Sequence, residues 1–379
     1  MKKKTMNIIN CIFSILFLLI IFVPFCMLDT TEIIDSELEN RRMTMWPGWH
    51  FNKEINEWYG HYVEDRVGFR EDAVRLYTNA VYDIFGEFTE DLHMYGKNEE
   101  IFPADREYVR AYQNLATDEQ LIDSLVTYLD RTDAYLEEQG IAFAFVAGLD
   151  KKTVYGEYMP DYIRVDESKE GIMEMLSRKL TDAGVPYVIP IEEYAQAKKN
   201  DKIYNRIYDT AHWNALGAME CIRLLDEEIW KQNDAIVPVS EDAYVLGYEE
   251  KRLDNSCIDI REKVPVYTLK PEYADTVWQN TETTAQLEGI GRMPLMHMEN
   301  SEALSNQSIL IMHDSFLDNK TYYFTYRYKD VYMVSRHDYE CMQQYVEILE
   351  PDVVVFEVAE RAFVDDLHAY VNLANVTYE

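Results

Sequence analysis

Apolar residues are almost uninterrupted from Ile8 to Leu28 and then settle into two alternating rhythms. The first run is about 20 residues long, enough to span the hydrocarbon core of a bilayer as a helix. Further on, "TDEQLIDSLVTYLDRTDAYLEEQG" sets apolar residues three and four apart, between a Thr/Asp start and Gly140, which predicts a helix. "IAFAFVAG", ending at Gly148, is a continuous apolar run and predicts a buried strand. The alternation repeats with a helix near Lys169 to Ala183, a short strand at "PYVIPI", and a helix reaching about Trp230. Strands follow at "SILIMHD" and "DVYMVS", then a helix from Tyr339 to about Leu349, a strand at "DVVVFEV" and a closing helix from Arg361. About five buried strands separated by helices imply an α/β fold, a parallel sheet with helices on both faces. Between about 231 and 307 the pattern lapses into polar text, read as an insertion with some strands, "KVPVYTL" among them.

The domain reading follows. Residues 1–28 form a cytoplasmic tip and a transmembrane signal anchor, 29–116 an acidic, aromatic-rich juxtamembrane segment expected to pack on the next domain, and 117–379 the α/β domain. Phe25 is too bulky for a signal-peptidase site, so the anchor is expected to be retained. Lys2, Lys3 and Lys4 precede the span, and Asp29, Glu32, Asp35, Glu37 and Glu39 follow it, which puts the N-terminus in the cytoplasm and the rest outside.

Charge narrows the partners. The chain has 36 Lys plus Arg against 69 Asp plus Glu, a formal net charge of −33. Such a field disfavours nucleic acid. Cys221, Cys257 and Cys341 lie beyond the span without CxxC spacing, so neither a disulfide framework nor a zinc site is indicated.

In a parallel sheet, ligands gather beyond the carboxyl ends of the strands. "SILIMHDSFLDNK" places Ser315 just past such an end, where a tight turn exposes a hydroxyl and its amides can stabilise an oxyanion. A serine needs a base, and the base needs an orienting carboxylate. "IYDTAHWNALGAMECIRLL" offers both, His212 and Asp209, at another strand-end loop. Each also has a plainer reading. Asp209 or Thr210 fits the N-cap of the helix beginning near Trp213, His212 a packed histidine, and Ser315 a cap.

Together the fragments resemble a known family. "DTAHW" with "NALGA" is similar to the DxxH block of SGNH hydrolases, and "HDSF" to their GDS block. The order, Asp and His upstream of Ser, resembles the alginate O-acetyltransferase-like proteins (AlgJ/AlgX type) and their DHHW relatives. "ENRR", "EDRVGFR", "YGKNEEIF", "KKTVYGEYMP" and "PDVVVFEVAER" extend the resemblance along the chain. It implies an SGNH-hydrolase-like (flavodoxin-like) fold with Ser315 as nucleophile, His212 as general base and later acid, and Asp209 as orienter. Asp209 stands three residues before His212 rather than two, and His313 replaces the Gly of GDS. Arg336 and Lys152 also fall at family-like positions.

The function expected is an extracytoplasmic O-acetyltransferase acting on a cell-surface polysaccharide or envelope glycan through a serine acetyl-enzyme, without metal or cofactor. One span cannot export acetyl groups, so a multi-spanning membrane acyltransferase (MBOAT type) is the expected donor partner. The rivals are a glycan acetyl esterase with the same triad and a non-catalytic glycan-binding scaffold. Trp213, beside His212, is either an aromatic platform for a sugar or a packing residue.

Overall fold

The computed structural model describes residues 2–30, 35–36, 41–46, 48, 55–253, 256, 258–280, 290–291, 294–364 and 373–378. They divide into two compact units. The smaller comprises Met1–Leu92 with Arg252–Ile260. It contains α1 (Lys2–Cys26), α2 (Ile55–Arg66) and α3 (Arg70–Phe85). Within α1, Ile8–Cys26 is long and apolar enough to cross a membrane, and its side chains are exposed. Gly86 ends α3 in the left-handed region at φ 66°, where its N–H donates to the Tyr82 carbonyl.

The larger unit comprises His93–Lys251 and Arg261–Glu379. A short hairpin, β1 (His93–Tyr95) and β2 (Ile101–Pro103), leads to α4 (Arg106–Tyr112) and α5 (Glu119–Glu138). The Asp118 carboxylate caps α5 through the Leu121 N–H. Then come β3 (Ala142–Gly148), α6 (Ile172–Ala183), β4 (Tyr187–Val188), α7 (Ile191–Ala197) and α8 (Ala215–Trp230). A second hairpin, β5 (Tyr244–Arg252) and β6 (Arg261–Leu269), precedes β7 (Val277–Gln279) and β8 (Met296–Asn300). The chain closes through β9 (Ser308–His313), β10 (Asp330–Ser335), α9 (Met342–Leu349) and β11 (Val353–Ala359). Where a closing helix was expected from Arg361 the structure has a 3-10 turn, Glu360–Phe363, and residues 365–372 lie outside the described residues.

The central sheet runs β4-β3-β11-β9-β10-β8-β7. Its first five strands are parallel, and β8 and β7 extend it antiparallel at the β10 edge. The sheet therefore has seven strands where about five were expected, and the two additional ones come from the stretch read as an insertion. Every residue of β3 and β11 is buried, so both faces of the sheet centre are covered, with α5 and α8 both packed on β3. In register, His313 pairs with Ser335, Met312 with Phe356 and Ala359 with Gly148. The carboxyl ends of four neighbouring strands thus align on one edge, and the residues that follow them meet there.

Candidate active site

Ser315 follows β9 in a turn and is exposed, while Phe316 and Leu317 behind it are buried. Phe316 fixes the turn from below. Its ring lies against Gly148 at the end of β3 so closely that a Cβ there would come within 2.5 Å of it. Its carbonyl accepts the Trp213 indole N–H at 3.1 Å, and the Trp213 and His212 rings both meet it edge-on with centroids 4.7 Å away. Trp213 is 4% exposed, so it anchors the Ser315 turn and is not a sugar platform.

The Asp209–His212 loop meets this turn from the α8 side. The helix is capped by Asn214, whose Oδ1 accepts the N–H groups of Leu216 and Gly217, so Asp209 and Thr210 are not the cap. Asp209 takes the left-handed conformation at φ 46°, which an Asp tolerates better than most residues. That twist turns its Oδ1 back onto His212, at 2.6 Å from Nδ1 and 3.4 Å from the backbone N. The extra residue between Asp and His is absorbed in this way. His212 Nε2 in turn lies 3.0 Å from Ser315 Oγ. The three residues singled out from the sequence are therefore brought together, with Nδ1–H donating to Asp209 and Nε2 left to accept the serine hydroxyl proton. Burial pushes the Asp209 carboxyl up, but the hydrogen bond and charge of His212 outweigh it and hold it below its ordinary value.

Three further groups organise the site and were missed or left without a role. Glu357, fully buried in β11, points its carboxyl group at the Ser315 turn and accepts the N–H groups of Asp314 (2.6 Å), Leu317 (3.1 Å) and Phe316 (3.3 Å). Burial, with the Asp314 charge beside it, pushes its carboxyl up to about 8. Asp314 accepts the Ser315 N–H on Oδ1, and the Ala359 N–H and the buried Arg336 Nε on Oδ2. Lys152 lies buried between Asp150 and Glu360, 2.7 Å from each, and Asp150 also receives Arg361 Nε at 2.9 Å. The Arg361 guanidinium carries this network under the site, 5.3 Å from the Phe316 ring centre. Burial opposes the charge on Asp150, yet Arg361 and Lys152 leave its carboxyl below the ordinary value. A lone Glu in the apolar text "DVVVFEV" was the sequence signal for Glu357.

The amides expected to stabilise an oxyanion are therefore already bound. Those of Asp314, Phe316 and Leu317 donate to Glu357, and that of Ser315 to Asp314. Lys320, at the far end of the turn, is half-buried; burial lowers its ammonium, opposed by the charges of Asp209, Asp318 and Glu357. Cys221 is a buried free thiol, Cys341 donates to the Ile290 carbonyl, and Cys257 lies outside the described residues.

No protein-family model matches the sequence, and no curated protein matches it significantly. Solved structures do. Bacillus cereus PatB1 aligns over 73% of this chain and 99% of its own, at 16% identity and a TM-score of 0.54. This chain shares the fold of PatB1. PatB1 with a sulfonyl adduct matches equally, at 17% identity, 73% and 98% coverage and a TM-score of 0.54. The O-acetyltransferase domain of Pseudomonas putida AlgJ aligns over 75% of this chain and 98% of its own, at 14% identity and a TM-score of 0.48. At these identities the PatB1 likeness is one of fold, and it accords with the SGNH-hydrolase-like architecture read from the sequence.

Proposed function

We propose that this protein is an extracytoplasmic, serine-dependent O-acetyltransferase that acts on a hydroxyl of a cell-surface polysaccharide or envelope glycan. The observation that carries the reading is the Ser315–His212–Asp209 chain of contacts, 3.0 Å and 2.6 Å, at the carboxyl edge of the parallel sheet. The DxxH-like and GDS-like blocks that supply these residues, in the order Asp and His before Ser, resemble those of the alginate O-acetyltransferase-like proteins, and that resemblance supports an acyl-transfer reading.

In the first half-reaction, Ser315 Oγ attacks the acetyl carbonyl as His212 Nε2 takes its proton. Asp209 holds the imidazole in the tautomer that can accept it and stabilises the imidazolium that forms. The intermediate collapses to acetyl-Ser315, and His212 returns the proton to the departing oxygen. In the second half, a sugar hydroxyl gives its proton to His212 and attacks the acetyl carbon, and Ser315 leaves with that proton. Neither half needs a metal or a cofactor. Helix α1 would anchor the protein with its N-terminus in the cytoplasm, and a multi-spanning acyltransferase (MBOAT type) would deliver acetyl groups to the outer side.

Hydrolysis is the second reading, because Ser315 is exposed and water has access to the same acetyl-enzyme. The test is full-length protein in detergent with an activated acetyl ester, with and without polysaccharide acceptors. Transfer requires O-acetylated glycan and faster donor consumption, since a bound sugar hydroxyl outcompetes water for the acyl group. Acetate alone, at one rate with every glycan, makes the protein an esterase. No turnover with any donor leaves the scaffold reading.

A further inference from the structure

The antiparallel edge of the sheet, far from Ser315, carries a set of side chains that the acyl-transfer reading does not use. In the β8–β10 pairing, His297 stands opposite Tyr332 and Glu299 opposite Asp330. Residues two apart on a strand share a face, so these four side chains form one block on the same side of the sheet. The Tyr332 ring stacks on the imidazole with centroids 4.4 Å apart, and His297 Nε2 reaches diagonally to Asp330 Oδ1 at 2.8 Å. One donor atom from each of His297, Glu299 and Asp330 lies within 4.8 Å of the others.

We propose that His297, Glu299 and Asp330 form a binding site for a first-row divalent cation, Zn2+ in the first place, which staples β8 onto the parallel sheet.

Two carboxylates set directly opposite each other across a strand pair repel. They are unusual at a place that joins two strands, in a chain whose net charge is −33. Among the described residues the surroundings offset this only in part. Lys329 Nζ is 4.0 Å from Asp330 on an exposed side chain, and the neutral Asn280 amide donates to Glu299 Oε2 at 3.0 Å. A nitrogen with two carboxylates and a water is a donor set that zinc accepts, whereas calcium prefers more oxygens and no imidazole. His297 is 2% exposed, so its ring is already held in place.

The position makes the role structural. Asp330 begins β10, and Ser335, which pairs with His313 just before the nucleophile turn, ends it. Five residue steps of strand, about 16 Å, separate the two ends of the sheet. A metal here would serve stability rather than chemistry.

The experiment uses full-length protein in detergent, stripped with EDTA and freed of chelator, and follows thermal unfolding and stoichiometry on adding Zn2+ alone. One equivalent should bind, and Zn2+ at a hundred times its dissociation constant should lower the unfolding constant about 100-fold. Glu299→Gln and His297→Ala should each abolish that shift, while stripped Glu299→Gln should unfold no earlier than the stripped parent because the opposed charges are gone. Should His297→Ala fail to fold, Glu299→Gln decides alone. No zinc-dependent shift, a shift retained in Glu299→Gln, or an equal response to Ca2+ would overturn the site.

Discussion

The carboxyl group of Glu357 receives the Asp314 N–H at 2.6 Å, so a fully buried acid in β11 fixes the residue immediately before Ser315 in the turn after β9. It also takes the Phe316 and Leu317 amides, and no other side chain type of that size offers two acceptor oxygens to three donors. Glu357→Gln replaces one acceptor with a donor that faces N–H groups. The turn should shift by a fraction of an ångström to an ångström, and kcat should fall by about 100-fold with the chain still folded. Unchanged turnover in this variant would mean the turn is held by Phe316 packing alone.

The same acid sets a pH dependence of stability. Its carboxyl is raised from 4.5 to about 8, so the folded state holds a proton that the unfolded state releases. Stability from this group is complete below about 4.5 and is lost as pH rises towards 8. Unfolding midpoints measured from pH 5 to pH 8 should fall more steeply for the parent than for Glu357→Gln. Parallel curves would remove Glu357 from the account.

The triad makes a different kind of prediction. Ser315→Ala and His212→Ala should each abolish turnover of an acetyl ester, and the double variant should be scarcely worse, because members of one catalytic unit do not add. Asp209→Asn keeps the geometry but favours the wrong imidazole tautomer and should cost about 10⁴-fold. Independent, multiplicative losses in the double variant would argue against a shared proton path.

The parts of this site that can be read from the sequence are those whose periodicity or spacing is strong. Buried parallel strands such as Ile309–Met312 and Val353–Phe356 stand out because both faces are covered and apolar residues run on without a break. Strand β8 does not, because "MHMEN" at a sheet edge mixes exposed and buried residues over only five positions and resembles loop text. Ser315, His212 and Asp209 were legible from residue type and strand-end placement. The backbone twist at Asp209 was not, since a positive φ in a non-glycine residue leaves no mark in the spacing. Trp213 was left open between sugar platform and packing for a related reason: an aromatic beside His212 looks the same in sequence whether it faces a sugar or, as here, donates its N–H to the Phe316 carbonyl.

Membrane topology can be checked directly. If Ile8–Cys26 is a retained anchor with the N-terminus inside, protease added to intact cells should reduce the protein to a small membrane-bound stub. Full protection of the chain beyond Asp29 would reverse the orientation, and a soluble, shortened protein in the medium would make the helix a cleaved leader.

Gly148 tests how tightly Ser315 depends on the sheet beneath it. Its missing side chain is what lets Phe316 sit at the end of β3, where an added Cβ would lie 2.5 Å from the ring and 2.9 Å from the Phe316 Cβ. Because the clash reaches the Phe316 Cβ as well as its ring, rotating the phenyl group alone does not relieve it. Gly148→Ala should therefore push the Phe316 backbone, and Ser315 with it, away from His212, and cost about 1–3 kcal/mol through overpacking. Activity should fall more than stability, since a displacement that the fold absorbs still lengthens the 3.0 Å contact between Ser315 Oγ and His212 Nε2. A second substitution, Phe316→Ala, removes the ring atoms that make the 2.5 Å contacts and leaves only the Cβ at 2.9 Å, so it should return part of the lost turnover in the Gly148→Ala background while lowering it in the parent. Losses that simply multiply in the double variant would show that the contact between Gly148 and Phe316 does not position the serine.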